Sequence, residues 1–473
     1  MENTYKKRVS FSVALITLLA IVAIMFVGVG FMKIATIALF AIIIVLLSII
    51  ALLNGYKMEE VEEAMLTGCK KSSLVVMILI AVGMVVGTWI VSGVVPSIIY
   101  YGLKILSPKF FLVLGFIIIS LVSFFTGSTY TAVATLGVAF MGIGYGMGIN
   151  SSLTAGMIVS GSIVGDKMSP FSETSNMAAA IAGTDIFTHL RSCLYTVIPA
   201  SLISAVLYTV LGLKYGGSSI NMENINTITF AIENNFTLSP ILILIPILTI
   251  ALAIKKVPPT LAVLLGALFG LIASFIFQRQ FGFATIVNSL SSGFNFDFGN
   301  EVVNKLLNKG GVSSMMSTIC LAIMAMSFGE LLQMMGVLEV LLSKIQNAIN
   351  SARNLVIATL ITALLTVMFT ASQYMGIILP GEFFKNSYKR LKIEPYVLSR
   401  TLEDGGTIFS YLVPWSAASI YVSGVLDIPT LSSIPYSFLP ILCPLLAIVY
   451  AITGFAIFKE EGPQLKGLKA ENK

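Results

Sequence analysis

A polar stretch at residues 165–176, GDKMSPFSETSN, interrupts a chain that is apolar on both sides of it. It holds two acids, a lysine, four hydroxyls, an amide and a proline. Pro170 breaks a helix and frees backbone carbonyls, and carbonyl, hydroxyl and carboxylate oxygens are hard ligands that suit Na⁺. Asp166 is the first candidate ligand. The stretch therefore predicts an ion site formed by Asp166, Ser169, Glu173, Thr174 and Asn176.

The alternative is a loop outside the membrane, where polarity needs no explanation. Against it, the flanking apolar runs at about 153–164 and 177–188 are too short to span a bilayer alone. Together they predict one interrupted helix or a re-entrant hairpin, which is tolerated only inside protein or beside water. A charge at bilayer depth costs roughly 2.5–3.5 kcal/mol on insertion scales, and such a group is typically a substrate ligand or a proton carrier.

A second acidic segment, SRTLEDGGTIFSYLVPWSAAS at 399–419, has a similar order of acids, glycines, hydroxyls and a break. Its adjacent carboxylates, Glu403 and Asp404, repel each other where water is scarce, so one of them tends to hold a proton. With Asp166, they are the predicted proton-coupling groups. The alternative is an acidic cluster at a helix N-terminus in the interface.

The composition predicts a membrane protein. Of 473 residues, 57% are hydrophobic and 11% are charged, and the mean hydropathy is +0.96. Roughly 20 apolar residues make one span, so we expect an all-α polytopic protein with about 10–13 transmembrane helices and hairpins. The net charge of +6 reflects basic residues at span ends rather than nucleic-acid binding. The basic ends, among them Lys6 and Lys7, predict cytoplasmic N- and C-termini.

An internal duplication is indicated by FTGSTY at 125–130 and FTASQY at 369–374, which lie 244 positions apart. Weak internal symmetry with interrupted segments is typical of secondary transporters. The predicted organisation is an N-terminal half, an external loop, a C-terminal half and a basic cytoplasmic tail, at residues 1–213, 214–239, 240–457 and 458–473.

The small polar residues of both halves are candidates to line a central substrate site, although packing of helices by small residues is an equal alternative. This predicted lining consists of Thr126, Ser128, Thr370, Ser372, Thr407, Trp415 and Ser416.

Catalysis is not predicted. The four cysteines form no CxxC pair, there is one histidine, and no P-loop or Ser/His/Asp set is apparent. We expect no cofactor beyond Na⁺ and H⁺ as transported or coupling ions. The expected partners are these ions and the bilayer, with a small organic solute and a second copy of the chain as further candidates.

The segment GDKMSPFSETSNMAAAIAGTDIFTHLR resembles the NhaC-type sodium/proton antiporters of bacteria, whose pattern is approximately G-D-x-x-S-P-[LF]-S-[DE]-T-[TS]-N. LSRTLEDGGT at 398–407 resembles a second motif of that family. The resemblance implies Na⁺/H⁺ exchange at the bacterial cytoplasmic membrane. Some members exchange small organic acids such as malate and lactate. The resemblance also implies inverted repeats, paired hairpins and an elevator-like motion.

One segment departs from the family. Where the pattern often reads P-W-N-T-C-G, residues 414–419 read PWSAAS. An amide and a hydroxyl are replaced by smaller groups at a predicted lining position. This change favours, as the alternative function, a Na⁺- or H⁺-coupled exchanger of organic acids or amino acids.

Overall fold

The computed structural model describes residues 8–32, 34–215, 222–343 and 350–459. Within these ranges every regular element is a helix, and the β pairing is limited to an isolated bridge between Ile393 and Lys459. The all-helical class predicted from the sequence is confirmed.

The helices are numbered α1 to α24 in chain order. Those of the first half are α1 Phe11–Met25, α2 Thr36–Leu53, α3 Met58–Val91, α4 Val94–Ile105, α5 Pro108–Thr126, α6 Thr129–Ala132, α7 Val138–Gly146, α8 Ser151–Met168, α9 Glu173–Ala182, α10 Ile186–Lys214 and α11 Met222–Asn235. Those of the second half are α12 Leu244–Ile254, α13 Pro259–Phe277, α14 Phe283–Ser292, α15 Glu301–Leu307, α16 Val312–Met334, α17 Val337–Ser343, α18 Ala352–Thr370, α19 Gln373–Arg390, α20 Pro395–Leu402, α21 Ile408–Ser410, α22 Ala417–Leu426, α23 Thr430–Ser433 and α24 Phe438–Thr453.

Eight of the described helices are long and apolar enough to cross a membrane, and two bent pairs would raise this number to ten. Helices α1 and α2 have only 28% of their apolar windows buried, as expected for helices that face lipid. Helix α3 is more enclosed, with 67% of its window buried, and it packs mainly on α16 and α13. The protein is therefore a multi-pass membrane protein.

Two symmetric breaks shape the core. Helix α5 ends at Gly127 and α18 ends at Ala371, and both residues have left-handed backbones, with φ of 66° and 55°. Ser128 and Ser372 then cap α6 and α19, because each side chain accepts a hydrogen bond from a backbone N–H of the new helix. The FTGS and FTAS segments are thus two equivalent helix breaks.

Helix boundaries recur at the same spacing of 244 residues that relates these two motifs. Helices α5 and α18 both start and end 244 residues apart, and so do α9 and α22. The starts of α8 and α20, and of α10 and α23, differ by the same number. This regularity supports the predicted duplication. The inverted orientation of the repeats stays a prediction.

Some segments differ from the expectation based on hydropathy. The loop expected at 214–239 contains α11, whose Glu233 accepts a hydrogen bond from Tyr100 at 3.0 Å. The sequence has an apolar run at about 354–380, and this run forms two helices, α18 and α19, because the chain breaks at Ala371. Most of the predicted basic tail, and residues 1–7, lie outside the described residues.

Candidate ion site

Asp166 lies in the last turn of α8, where the helix ends. Its Oδ2 atom accepts a hydrogen bond of 3.0 Å from the Thr129 hydroxyl, at the start of α6. The symmetric break at Gly127 and Ser128 is what brings Thr129 to this point. The first candidate ligand is therefore held between two helix ends, where backbone groups have no partner within their helix.

The predicted interruption after Asp166 is present. Helix α8 stops at Met168, and Ser172 caps the start of α9 by accepting a hydrogen bond from Ser175 N. The Asn176 amide donates to the Pro170 and Ser172 carbonyl oxygens, at 2.9 and 2.7 Å. Asn176 therefore holds the broken segment in shape.

Asp166 faces a cavity of about 540 Å³. Of the predicted ligands and lining residues, this cavity is lined by Asp166, Glu173, Thr174, Asn176, Thr126 and Ser128. The second half contributes Gln373 and Tyr374 to the wall, and Lys256 lies near the mouth with its ammonium 5.5 Å from the centre of the Phe171 ring. Tyr374 donates a 3.0 Å hydrogen bond to Glu173 Oε2. The cavity thus lies between the two halves.

The remaining predicted residues lie elsewhere in the core. Ser169 is buried and its hydroxyl accepts from Phe171 N. Trp415 donates to the Met368 carbonyl at 2.6 Å, and Ser416 caps α22. None of the following residues lines the Asp166 cavity: Ser169, Thr370, Ser372, Thr407, Trp415 and Ser416.

Lys167, which we did not predict as a functional residue, is paired in the core. Its side chain is 1% exposed and forms an ion pair with Asp404, which is 0% exposed. The ammonium also donates to the Thr196 hydroxyl at 3.1 Å. A lysine at bilayer depth beside an acid is itself a sign of function, so the sequence alone could have indicated Lys167 as a candidate.

Both predicted proton-coupling acids, Glu403 and Asp404, lie in a π-helical turn at Glu403–Thr407, between α20 and α21. Such turns within α-helices are frequent at functional sites. Gly405 and Gly406 let the turn pack closely on α18 and α19: a Cβ on Gly406 would lie 2.7 Å from the Gly376 carbonyl oxygen. The turn is therefore fixed against the helices on both sides of the second break, α18 before it and α19 after it.

A second cavity of about 860 Å³ is reached at the other end of α8. It is lined by Ser151, where α8 starts, and by Lys309 and Asp427, which form an ion pair at 2.9 Å. The two cavities share no lining residue. The start of α8 is about 20 Å from Asp166 at 1.5 Å per residue.

An aromatic pair next to the Asp166 cavity joins α6 to α22, the helix whose end lines the second cavity. Tyr421 donates to the Tyr130 carbonyl oxygen at 2.7 Å, and the two rings lie 4.4 Å apart, edge to face. Tyr130 lines the first cavity. In this conformation the two cavities are separate.

Comparison with known proteins places this arrangement in a family. The family model described as "Na⁺/H⁺ antiporter family" matches residues 164–455, which include both the broken segment at Asp166 and the Glu403–Thr407 turn. This chain belongs to the Na⁺/H⁺ antiporter family. The resemblance to NhaC-type antiporters is confirmed, because the NhaC Na⁺/H⁺ antiporter of Alkalihalophilus pseudofirmus is 36% identical over 85% of this chain and 87% of that protein.

Other relatives in this family carry names of different substrates. The malate-2H⁺/Na⁺-lactate antiporter of Bacillus subtilis is 37% identical, over 88% of each chain. The arginine/ornithine antiporter ArcD of Halobacterium salinarum is 32% identical, over 87% of this chain and 85% of that one. The three relatives are thus similar to this chain in sequence over most of their length, and all three are named as antiporters.

Proposed function

We propose that this protein is a secondary transporter that exchanges Na⁺ for H⁺ across the bacterial cytoplasmic membrane. The observation that carries this proposal is the position of Asp166. Its carboxylate lies at the end of a broken helix, accepts a bond from Thr129, and faces a cavity with further hydroxyl and carboxylate oxygens. This is a donor set that suits a small hard cation.

The proposed mechanism follows from competition at a poorly hydrated acidic site. Na⁺ binds Asp166 and the oxygens of the break when no proton neutralises the site, and a proton takes its place when Na⁺ leaves. The two cavities at opposite ends of α8 are the proposed routes of access from the two sides. The ion gradients alone supply the driving force, and the transport cycle needs no cofactor and no chemical reaction.

The side of the membrane on which the two termini lie is also a proposal. We propose that both termini lie in the cytoplasm, because Lys6, Lys7 and Arg8 precede α1 and the last residues are basic. Labelling of a cysteine introduced before residue 8, in intact cells and in opened membranes, would test this. The predicted homodimer stays a prediction.

The second candidate function is coupled exchange of a small organic acid or amino acid. A cavity of about 540 Å³ is larger than one cation requires, and Gln373, Tyr374 and Lys256 add polar groups to it. The names of the malate/lactate and arginine/ornithine relatives support this candidate. Na⁺/H⁺ exchange remains the main proposal because the Asp166 carboxylate, at the helix break, can bind a cation directly.

The test uses purified protein in liposomes that contain a pH-sensitive dye. A proton gradient is imposed, and Na⁺, K⁺ or Li⁺ is then added. Proton movement on addition of Na⁺ is the expected result. A response only when malate, lactate, arginine or ornithine is also supplied would favour the second candidate. If no proton movement followed the addition of any of these cations or organic solutes, both candidate functions would be contradicted.

A further inference from the structure

Glu403 is a buried acid to which the described residues donate no hydrogen bond. Its side chain is 0% exposed, and neither carboxyl oxygen has a partner among them. The Thr407 hydroxyl lies near Glu403, but the two groups are not in hydrogen-bond geometry. An ionised carboxylate that is buried without donors is far less stable than the neutral acid. The neutral form is therefore the form of Glu403 that suits this environment.

Asp404, the next residue, has the opposite environment. Lys167 forms an ion pair with it, and the guanidinium of Arg400, one turn earlier, adds a second positive charge nearby. Arg400 is 1% exposed and donates to the Ala456 carbonyl oxygen at 2.9 Å. Asp404 is thus the acid whose ionised form is stabilised, although sequence alone makes the two acids equivalent.

The charges in this part of the core do not balance. The two cations Lys167 and Arg400 lie among three carboxyl groups, those of Asp166, Glu403 and Asp404. If all five were ionised, one negative charge would remain in a region that water hardly reaches. One monovalent cation neutralises it, whether that cation is a proton or Na⁺.

The described side chains of α18 and α19 that contact the turn add no charge to this count, and the buried imidazole of His189 on α10 lies near Lys167 and Arg400 and bonds the Ser399 hydroxyl. Helices α18 and α19 contact the turn through Leu360, Ala363 and Gly376. The thiols of Cys193 on α10 and Cys443 on α24 face the acids and Lys167. Glu173 on α9 is exposed at the cavity and bonded to Tyr374.

We propose that Glu403 carries the exchanged proton, and that binding of Na⁺ at Asp166 releases it. This inference rests on the proposed function and assigns the two ions to different carboxyl groups. Without Na⁺, Glu403 is protonated and the cluster is neutral. When Na⁺ binds the Asp166 carboxylate, the O–H bond of Glu403 breaks, the proton passes to water, and the new carboxylate restores neutrality. One proton leaves for each Na⁺ bound.

The experiment measures sodium binding to the full-length purified protein by calorimetry, in two buffers that differ in their protonation enthalpy. The difference in heat gives the number of protons released per Na⁺. The wild type is expected to release about one. Glu403→Gln, which imitates the neutral acid, is expected to release none. Its sodium affinity should not change with pH and should be at least tenfold weaker than that of the wild type at alkaline pH.

The matched control is Glu330→Gln. Glu330 is another buried glutamate of a spanning helix, paired with Lys71 and absent from the Asp166 cavity. This variant should release the same number of protons as the wild type. Glu403→Asp keeps a carboxyl group but places it one methylene closer to the backbone of the turn. It should still release a proton, with the pH midpoint of sodium binding shifted by half a unit or more.

Three results would overturn the inference. Folded Glu403→Gln that releases a proton as the wild type does would make Asp166 the carrier, and the proposed function would stand. If Glu403→Gln does not fold, an unshifted midpoint in Glu403→Asp would have the same meaning. A wild type that neither binds Na⁺ nor releases protons would overturn the proposed function together with this inference.

Discussion

Lys167 and Asp404 form a buried ion pair although they lie 237 positions apart in the chain. The pair joins the last turn of α8 to the π-helical turn before α21. Each partner is next in sequence to a second acid, Asp166 in one case and Glu403 in the other. The ion pair therefore fixes the position of the proposed sodium ligand relative to the proposed proton carrier.

Removing one partner of this ion pair should destabilise the protein more than removing both. Lys167→Met leaves Asp404 buried without its partner, which typically costs about 3–5 kcal/mol. The double variant Lys167→Met/Asp404→Leu removes both charges and should recover most of this loss. Unfolding in detergent, followed by tryptophan fluorescence, measures the difference. A single variant as stable as the wild type would show that the pair contributes no stability.

Asp166→Asn should abolish sodium-dependent proton movement in liposomes while the protein stays folded. The amide oxygen can still accept the hydrogen bond from Thr129, but the charge that attracts the cation is gone. Asp297→Asn is the control, because Asp297 is an exposed loop acid bonded to Gly299 and Asn304. Unchanged exchange in Asp166→Asn would remove this residue from the mechanism.

Thr129→Val should weaken the apparent affinity for Na⁺ by about tenfold to a hundredfold. Hydrogen bonds to charged groups are worth about 1.5–3 kcal/mol, and valine removes the hydroxyl that donates to the Asp166 carboxylate. Thr129→Ser keeps the hydroxyl and should stay within about threefold of the wild type. The measurement is the sodium concentration that gives half-maximal exchange. Equal values for the two variants would argue against a role for this bond.

Gly165→Ala should reduce both stability and exchange. A Cβ at this position would lie 2.2 Å from Phe124 N and 2.4 Å from the Ser120 carbonyl oxygen, so α8 must move away from α5. Overpacking of this kind typically costs about 1–3 kcal/mol, and it displaces Asp166. Gly282→Ala is the control, since nothing lies within 4 Å of a Cβ there. If both variants melted at the same temperature, the close approach would not matter.

Acidic conditions should weaken sodium binding in the wild type. If one proton must leave for one Na⁺ to bind, the half-saturating sodium concentration rises about tenfold for each pH unit on the acidic side of the transition. The dependence should level off at alkaline pH, where the site has already lost its proton. A half-saturating concentration that is constant between pH 6 and pH 9 would contradict exchange at a shared cluster.

Local features of the sequence predicted much of this fold. Hydropathy predicted the membrane class, and Pro170 and Ser172 predicted the break between α8 and α9. The recurrence of FTGS as FTAS 244 residues on predicted a duplication, which the spacing of the helix boundaries supports. These features depend on composition, backbone restriction and capping, which act over a few neighbouring residues.

The contacts that define the site were decided by the tertiary structure. Asp166 and Lys167 are neighbours, yet successive residues of a helix point about 100° apart. One therefore faces the cavity and the other faces Asp404. The duplication does not predict these charges, because the residues 244 positions after Asp166 and Lys167 are the uncharged Ser410 and Tyr411.

The sequence by itself determined which residues could bind ions and that the chain breaks between α8 and α9. It made Glu403 and Asp404 equivalent, and it left Lys167 without a role. Only the packing of α8, α10 and the π-helical turn paired Lys167 with Asp404. The same packing left Glu403 without a hydrogen bond among the described residues. The physical reason is that the stable charge state of a buried acid depends on groups that are distant in the chain and meet only in the folded core.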